Sequence, residues 1–185
     1  MKRFFSLIVV CLLTVPSSMI AADEARGQAQ ELFSAFRDEN RNRIAELLPV
    51  VDISETDQGN YGNTVLMCAA RLGNKDTVAE LLAKGADVNA INTKGTALTV
   101  AACFGKEDVV SMLLAKGADV NATDDEGHTA LMIAIFQGFN SIAGQLLAVS
   151  GIDVNARDVH GMTALKHAEI CQNKDVAQMI RDAIL

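Results

Sequence analysis

The sequence predicts an all-α solenoid of about five helix–turn–helix units joined by β-hairpin-like loops, and three observations carry that prediction. A heptapeptide recurs: TVLMCAA at 64–70, TALTVAA at 96–102, TALMIAI at 129–135 and TALKHAE at 163–169, the starts lying 32, 33 and 34 residues apart. A second block recurs in step with it: AELLAKGADVNA at 79–90, SMLLAKGADVNA at 111–122 and GQLLAVSGIDVNA at 144–156. Finally, the 185 residues are 50% hydrophobic but only 4% aromatic, with 2 Pro and no Trp. Such a chain is neither disordered nor Pro-rich, and its core must be built from Ala, Leu, Val, Ile and Met.

The first element is a predicted signal peptide over 1–22. Lys2 and Arg3 precede the apolar run from Phe4 to Val15, which Pro16 and the small, mildly polar SSMIAA follow. The run is shorter than the roughly 20 residues a spanning helix needs, so cleavage after Ala22 is expected and membrane retention is not. Cys11 lacks the preceding small residue that a lipoprotein signal uses. Export is the implied destination: the periplasm in a Gram-negative cell, the medium otherwise. Removal of Lys2 and Arg3 takes the net charge from −7 to about −9. It leaves Cys68, Cys103 and Cys171, an odd number in a compartment that favours disulfides, so at least one should be a free thiol or pair between molecules.

A short linker over 23–27 leads into the repeat domain, 28–185. Its first unit, 28–59, has Leu32, Phe33 and Phe36 for one helix and Ile44, Leu47 and Leu48 for a second that Pro49 stops. Glu31, Arg37, Glu39, Arg41 and Arg43 suit the solvent side of an N-terminal cap. Units 60–92, 93–124 and 125–158 are full copies. In each, Thr64, Thr96 or Thr129 stands where a helix begins and can cap its amides, as does Thr163 in the last unit. Ala pairs at 69–70 and 101–102 allow close helix approach, and Gly73, Gly105 and Gly138 turn the chain. Asp76, Asp108 and Ser141 are expected N-caps of the second helices, whose apolar stripe is Val78, Leu81 and Leu82 in the first copy. Gly85, Gly117 and Gly151 end those helices, and Gly62, Gly95, Gly127 and Gly161 shape the following turns. The second copy lacks one residue between Gly95 and Thr96, and the third has one extra near Ser150. Unit 159–185 carries Arg181 in place of a stripe Leu, as expected of a C-terminal cap.

The pattern GxTALxxAAxxGxxxxVxxLLxxGADVNA resembles the ankyrin repeat, clearly over 60–185 and in outline over 28–57. This chain replaces the family's Thr-Pro-Leu-His opening with Thr-Val-Leu-Met, Thr-Ala-Leu-Thr, Thr-Ala-Leu-Met and Thr-Ala-Leu-Lys, giving up the preset geometry of a first-turn Pro and a bracing His. The resemblance implies partner recognition through hairpin tips and a concave face lined by first helices. Carried over position by position, the partner-binding residues are Asn60, Tyr61, Asn63, Arg71 and Leu72; Thr93, Lys94 and Phe104, with Cys103 beside them; Asp125, Glu126, His128, Phe136 and Gln137; and His160, Met162 and Ile170, with Val159 and Cys171 beside them. Leu72, Phe104, Phe136 and Ile170 place a large apolar side chain near one spot in four successive units, the mark of an interaction stripe.

An acidic chain is a poor match for nucleic acid or an anionic membrane. The expectation is therefore a monomeric, non-enzymatic adaptor without cofactor that binds another exported or envelope protein. No Ser or Cys stands beside an oriented base, and GKEDVV lacks the glycine spacing of a phosphate loop. A second reading, redox or metal response, would use Cys103 and Cys171 or the tip residues His128 and His160, with Asp124, Asp125 and Glu126 nearby. Cys68 takes a position that the repeat pattern fills with Leu and reads as a buried hydrophobe; His167, inside a first helix, reads as packing between units.

Overall fold

A computed structural model describes residues 17–57 and 61–184, with side chains from Glu24 onward. The signal segment up to residue 16 and the candidate Asn60 lie outside the described residues. The chain divides into two compact units between Asp52 and Ile53.

In the first unit, α1 (Ser17–Arg37) packs on α2 (Arg41–Leu47). Leu32, Phe36 and Ile44 are sealed from solvent between them. The linker expected over 23–27 is instead helical, lying within α1. The physical reason is that Glu24, Ala25, Arg26 and Gln28 are strong helix formers and no Pro interrupts them, so the helix extends past its packed part, which begins at Ala29. Asn40 caps α2 by accepting from the Arg43 amide at 3.1 Å, and the Arg43 guanidinium bridges Glu31 and Glu46.

The second unit holds four helix pairs: α3 (Val65–Leu72) with α4 (Lys75–Ala83), α5 (Ala97–Cys103) with α6 (Glu107–Ala115), α7 (Ala130–Gln137) with α8 (Asn140–Leu147), and α9 (Ala164–Ile170) with α10 (Lys174–Ile184). First helices stack on first helices and second on second. Ala69, Ala70, Ala101, Ala102 and Ala134 are wholly buried in the first row, where small side chains set the spacing.

Thr64, Thr129 and Thr163 cap their helices as expected, accepting from the amides of Met67, Met132 and Lys166 at 3.2, 3.3 and 3.4 Å. Thr96 does not: its hydroxyl is buried without a partner. The residue missing after Gly95 draws Thr96 out of capping position. Thr99, where other copies carry Met or Lys, stitches the turn by donating to the carbonyls of Thr96 and Lys94 at 2.7 and 3.1 Å.

Asp76, Asp108 and Ser141 are not N-caps, because the second helices begin two residues earlier than expected. Asn74 occupies that cap and accepts from Thr77 at 3.3 Å, and Asn173 serves Val176 likewise. Lys106 and Phe139 hold the equivalent positions with no side-chain cap. They cover the preceding copy instead: Lys106 lies over Gly73 and the Phe139 ring over Gly105. The stripe on the second helices is also narrower than expected. Leu81, Leu113, Leu146 and Ile180 are sealed, whereas Leu82, Leu114 and Leu147 are half-buried and Arg181 is exposed.

Among the described residues there is no extended strand, only single bridges between Thr56 and Thr64, Asn92 and Gly95, and Thr123 and Thr129. The loops are built from side chains. Asn89 accepts from the Asp119 amide at 2.8 Å and donates to the Gly117 carbonyl; Asn121 does the same with Asp153 and Gly151. This ladder ties each DVNA segment to the next.

Candidate interaction surface and a buried histidine–aspartate cluster

The hairpin tips are joined in a row. Asn92 donates to Asn63 at 2.9 Å, the Asp125 amide to the Thr93 carbonyl at 3.2 Å, and the Val159 amide to the Glu126 carbonyl at 3.0 Å. Tyr61, in left-handed conformation (φ 66°), is 63% exposed, and the Lys94 ammonium sits 5.1 Å from its ring centroid, a cation–π contact between tips. Thr93, Lys94, Asp125, Glu126 and His160 are exposed, while Asn63, His128 and Met162 are half-buried.

Large apolar residues project at the C-terminal ends of the first helices. Phe104 is 49% exposed, Phe136 71% and Ile170 58%. Gln137 is exposed and its amide lies 3.7 Å from the Cys103 sulfur. Leu72 and Arg71 are half-buried, so the apolar stripe is strongest over the last three helix pairs. Ile91, 66% exposed at a tip, belongs to the same surface. Its signal in the sequence was an Ile where Thr123 and Arg157 stand in later copies. Cys103 is half-buried, Cys171 exposed, and both are free thiols. Cys68 is only half-buried, less enclosed than expected, because its helix position lies at the margin of the row that Ala69 and Ala70 pack into.

The second feature is internal. His128, Asp158 and His167 bring three ligand-type atoms within 4.8 Å of one another. His160, expected to partner His128, is not among them; it points outward, and only its amide serves the cluster. Asp158 is fully buried at the side chain, and its Oδ1 accepts from the amides of His160 and Met162 at 2.8 and 2.9 Å. Its Oδ2 meets His167 Nε2 at 2.8 Å and His128 Nε2 at 3.8 Å. Burial pushes this carboxyl's pKa up, but the Met162 amide, His167 and the His160 amide together outweigh that and hold it below the usual carboxylate range. His128 is oriented from its far side by Asp124, Nδ1 to Oδ2 at 3.3 Å, and its ring meets that of His167 edge to face at 5.9 Å. His167 thus packs between units as expected, and does so through a charged partner. The sequence sign of Asp158 was an Asp three residues before the turn glycine, shared with Asp124.

Stacked helix pairs tied by polar tips, with apolar side chains displayed at the helix ends, define a repeat scaffold. The chain belongs to the ankyrin-repeat family: the model described as ankyrin repeats (3 copies) matches residues 32–124 and 117–183. No curated protein matches the chain in sequence. Ankyrin repeats generally mediate protein–protein interaction, and proteins built from them are typically non-enzymatic scaffolds.

Proposed function

We propose that this protein is an exported, non-enzymatic adaptor that binds another exported or envelope protein through its hairpin tips and the concave side of its first helices. The observation that carries this reading is the exposure of Phe104, Phe136 and Ile170 at the ends of successive first helices. Aromatic and large aliphatic groups so displayed supply binding energy when a partner desolvates them. The exposed Asp125 and Glu126 add steering toward a basic partner surface, and an acidic chain disfavours nucleic acid. The reading takes the protein to act as a monomer, without cofactor.

Export rests on the basic, apolar and small-residue segments of 1–22. Terminal sequencing of the protein recovered from the cell envelope should start at Asp23; an intact Met1 on all of it would overturn export. The adaptor reading is tested by affinity capture from an envelope extract. Phe104→Ala with Phe136→Ala should abolish recovery of the partner that the wild type captures, with unchanged helical CD. Recovery of the same partner by the double variant would place binding elsewhere.

A further inference from the structure

We propose that His128, Asp158 and His167 form a binding site for a divalent transition-metal ion of the zinc type, clamping the last two helix pairs of the stack together. His128 stands just before α7, Asp158 in the turn before α9, and His167 within α9, so an ion here would join three separate segments of the stack.

The ligand set is two imidazole nitrogens and one carboxylate oxygen, which favours zinc and its neighbours over magnesium or calcium. Donors about 2.0–2.2 Å from a tetrahedral ion stand roughly 3.3 Å apart. The observed Asp158 Oδ2 separations, 2.8 Å to His167 Nε2 and 3.8 Å to His128 Nε2, bracket that value. All three ligand atoms lie within 4.8 Å of one another, so closing the site asks the two imidazole rings to draw together by as much as about 1.5 Å.

The outer groups are already placed. Asp124 Oδ2 lies 3.3 Å from His128 Nδ1; with Nδ1–H donating to that carboxylate, the Nε2 lone pair faces the cluster, the carboxylate–histidine–metal arrangement that fixes a ligand's tautomer. The two amides hold Asp158 Oδ1 and turn Oδ2 to the imidazoles; an ion there would replace the 2.8 Å contact of Oδ2 with His167 Nε2 and release the proton between them. Without a cation that lone pair faces a buried carboxylate oxygen, an unfavourable approach that an ion between them converts into two bonds. His128 is partly exposed, giving an entry path and an open fourth position for water.

The competing arrangement is a protonated His128 in place of the ion, and it predicts no stoichiometric metal. The test is titration of the full chain, carrying no histidine tag and stripped by chelator, with Zn²⁺ and with Co²⁺. One ion per chain should bind at about 1 μM or tighter and raise the melting temperature. His128→Gln should weaken binding by at least about 100-fold, and Asp124→Ala by about 10- to 100-fold. His160→Gln should leave it unchanged. His167→Gln is a supporting variant if its CD is native; the partly exposed His128 carries the test if it is not. No stoichiometric ion, undiminished binding in His128→Gln, loss in His160→Gln, or binding abolished by thiol alkylation would each overturn the proposal.

Discussion

Leu81 and Leu82 are the same side chain one position apart, yet Leu81 is sealed between second helices and Leu82 is half open to water. Truncation at the first opens a cavity that stacked helices cannot close, so Leu81→Ala should cost about 2–5 kcal/mol and Leu82→Ala less than about half of that, by chemical denaturation. Equal losses would place the stripe one residue off. Glycines separate in the same way. Gly105 and Gly138 both have φ near the left-handed region, 66° and 80°, but a Cβ on Gly105 would lie 2.7 Å from the Phe139 ring while one on Gly138 meets nothing within 4 Å. Gly138→Ala should therefore cost only the backbone strain, roughly 1–2 kcal/mol, and Gly105→Ala measurably more. The left-handed conformation was legible because glycine recurs where a helix must end; the ring over Gly105 was not, since it comes from a residue 34 positions away.

The elements differ at their caps. Thr64 and Thr129 each satisfy an otherwise open amide, and replacing either by Ala should lower stability by about 1 kcal/mol. Thr96 occupies the same place in the repeat pattern with its hydroxyl buried and unpartnered. Thr96→Val removes a desolvated polar group without removing a bond, so it should be neutral or slightly stabilising in thermal unfolding. A loss equal to that of Thr64→Ala would show that Thr96 caps after all. The repeated Thr marks every first helix in the sequence, but a one-residue deletion changes the geometry of a cap without changing its residue. Lys106 and Phe139 show the converse: they break the Asn pattern of second-helix caps and are used to cover a neighbouring turn.

At the scale of residues 53–185, successive helix pairs pack on one another, as stacked repeats do, and the tips are bonded into a row that presents Tyr61, Lys94, Asp125 and Glu126 together. If the acidic tips steer a basic partner, the association rate measured by surface binding should fall as salt rises past about 0.1 M, whereas the dissociation rate should respond mainly to Phe104 and Phe136. A rate of association independent of salt would remove the tips from recognition. Chelator should lower the melting temperature of the protein loaded with metal and leave that of His128→Gln unaffected.

The recurrence of TAL and ADVNA, 32 to 34 residues apart, was sufficient to specify the family, the helix pairs and the row of small residues between them, because each of these is periodic and a period is visible in one dimension. The exposed helix-end residues were legible for the same reason, as departures at fixed places within a period. The meeting of His128, Asp158 and His167 has no period. The two histidines each occur in a single copy and the aspartate in two, and they share a site only because stacking sets one turn of the chain against the next unit's helix, a distance relation that no spacing along the chain encodes.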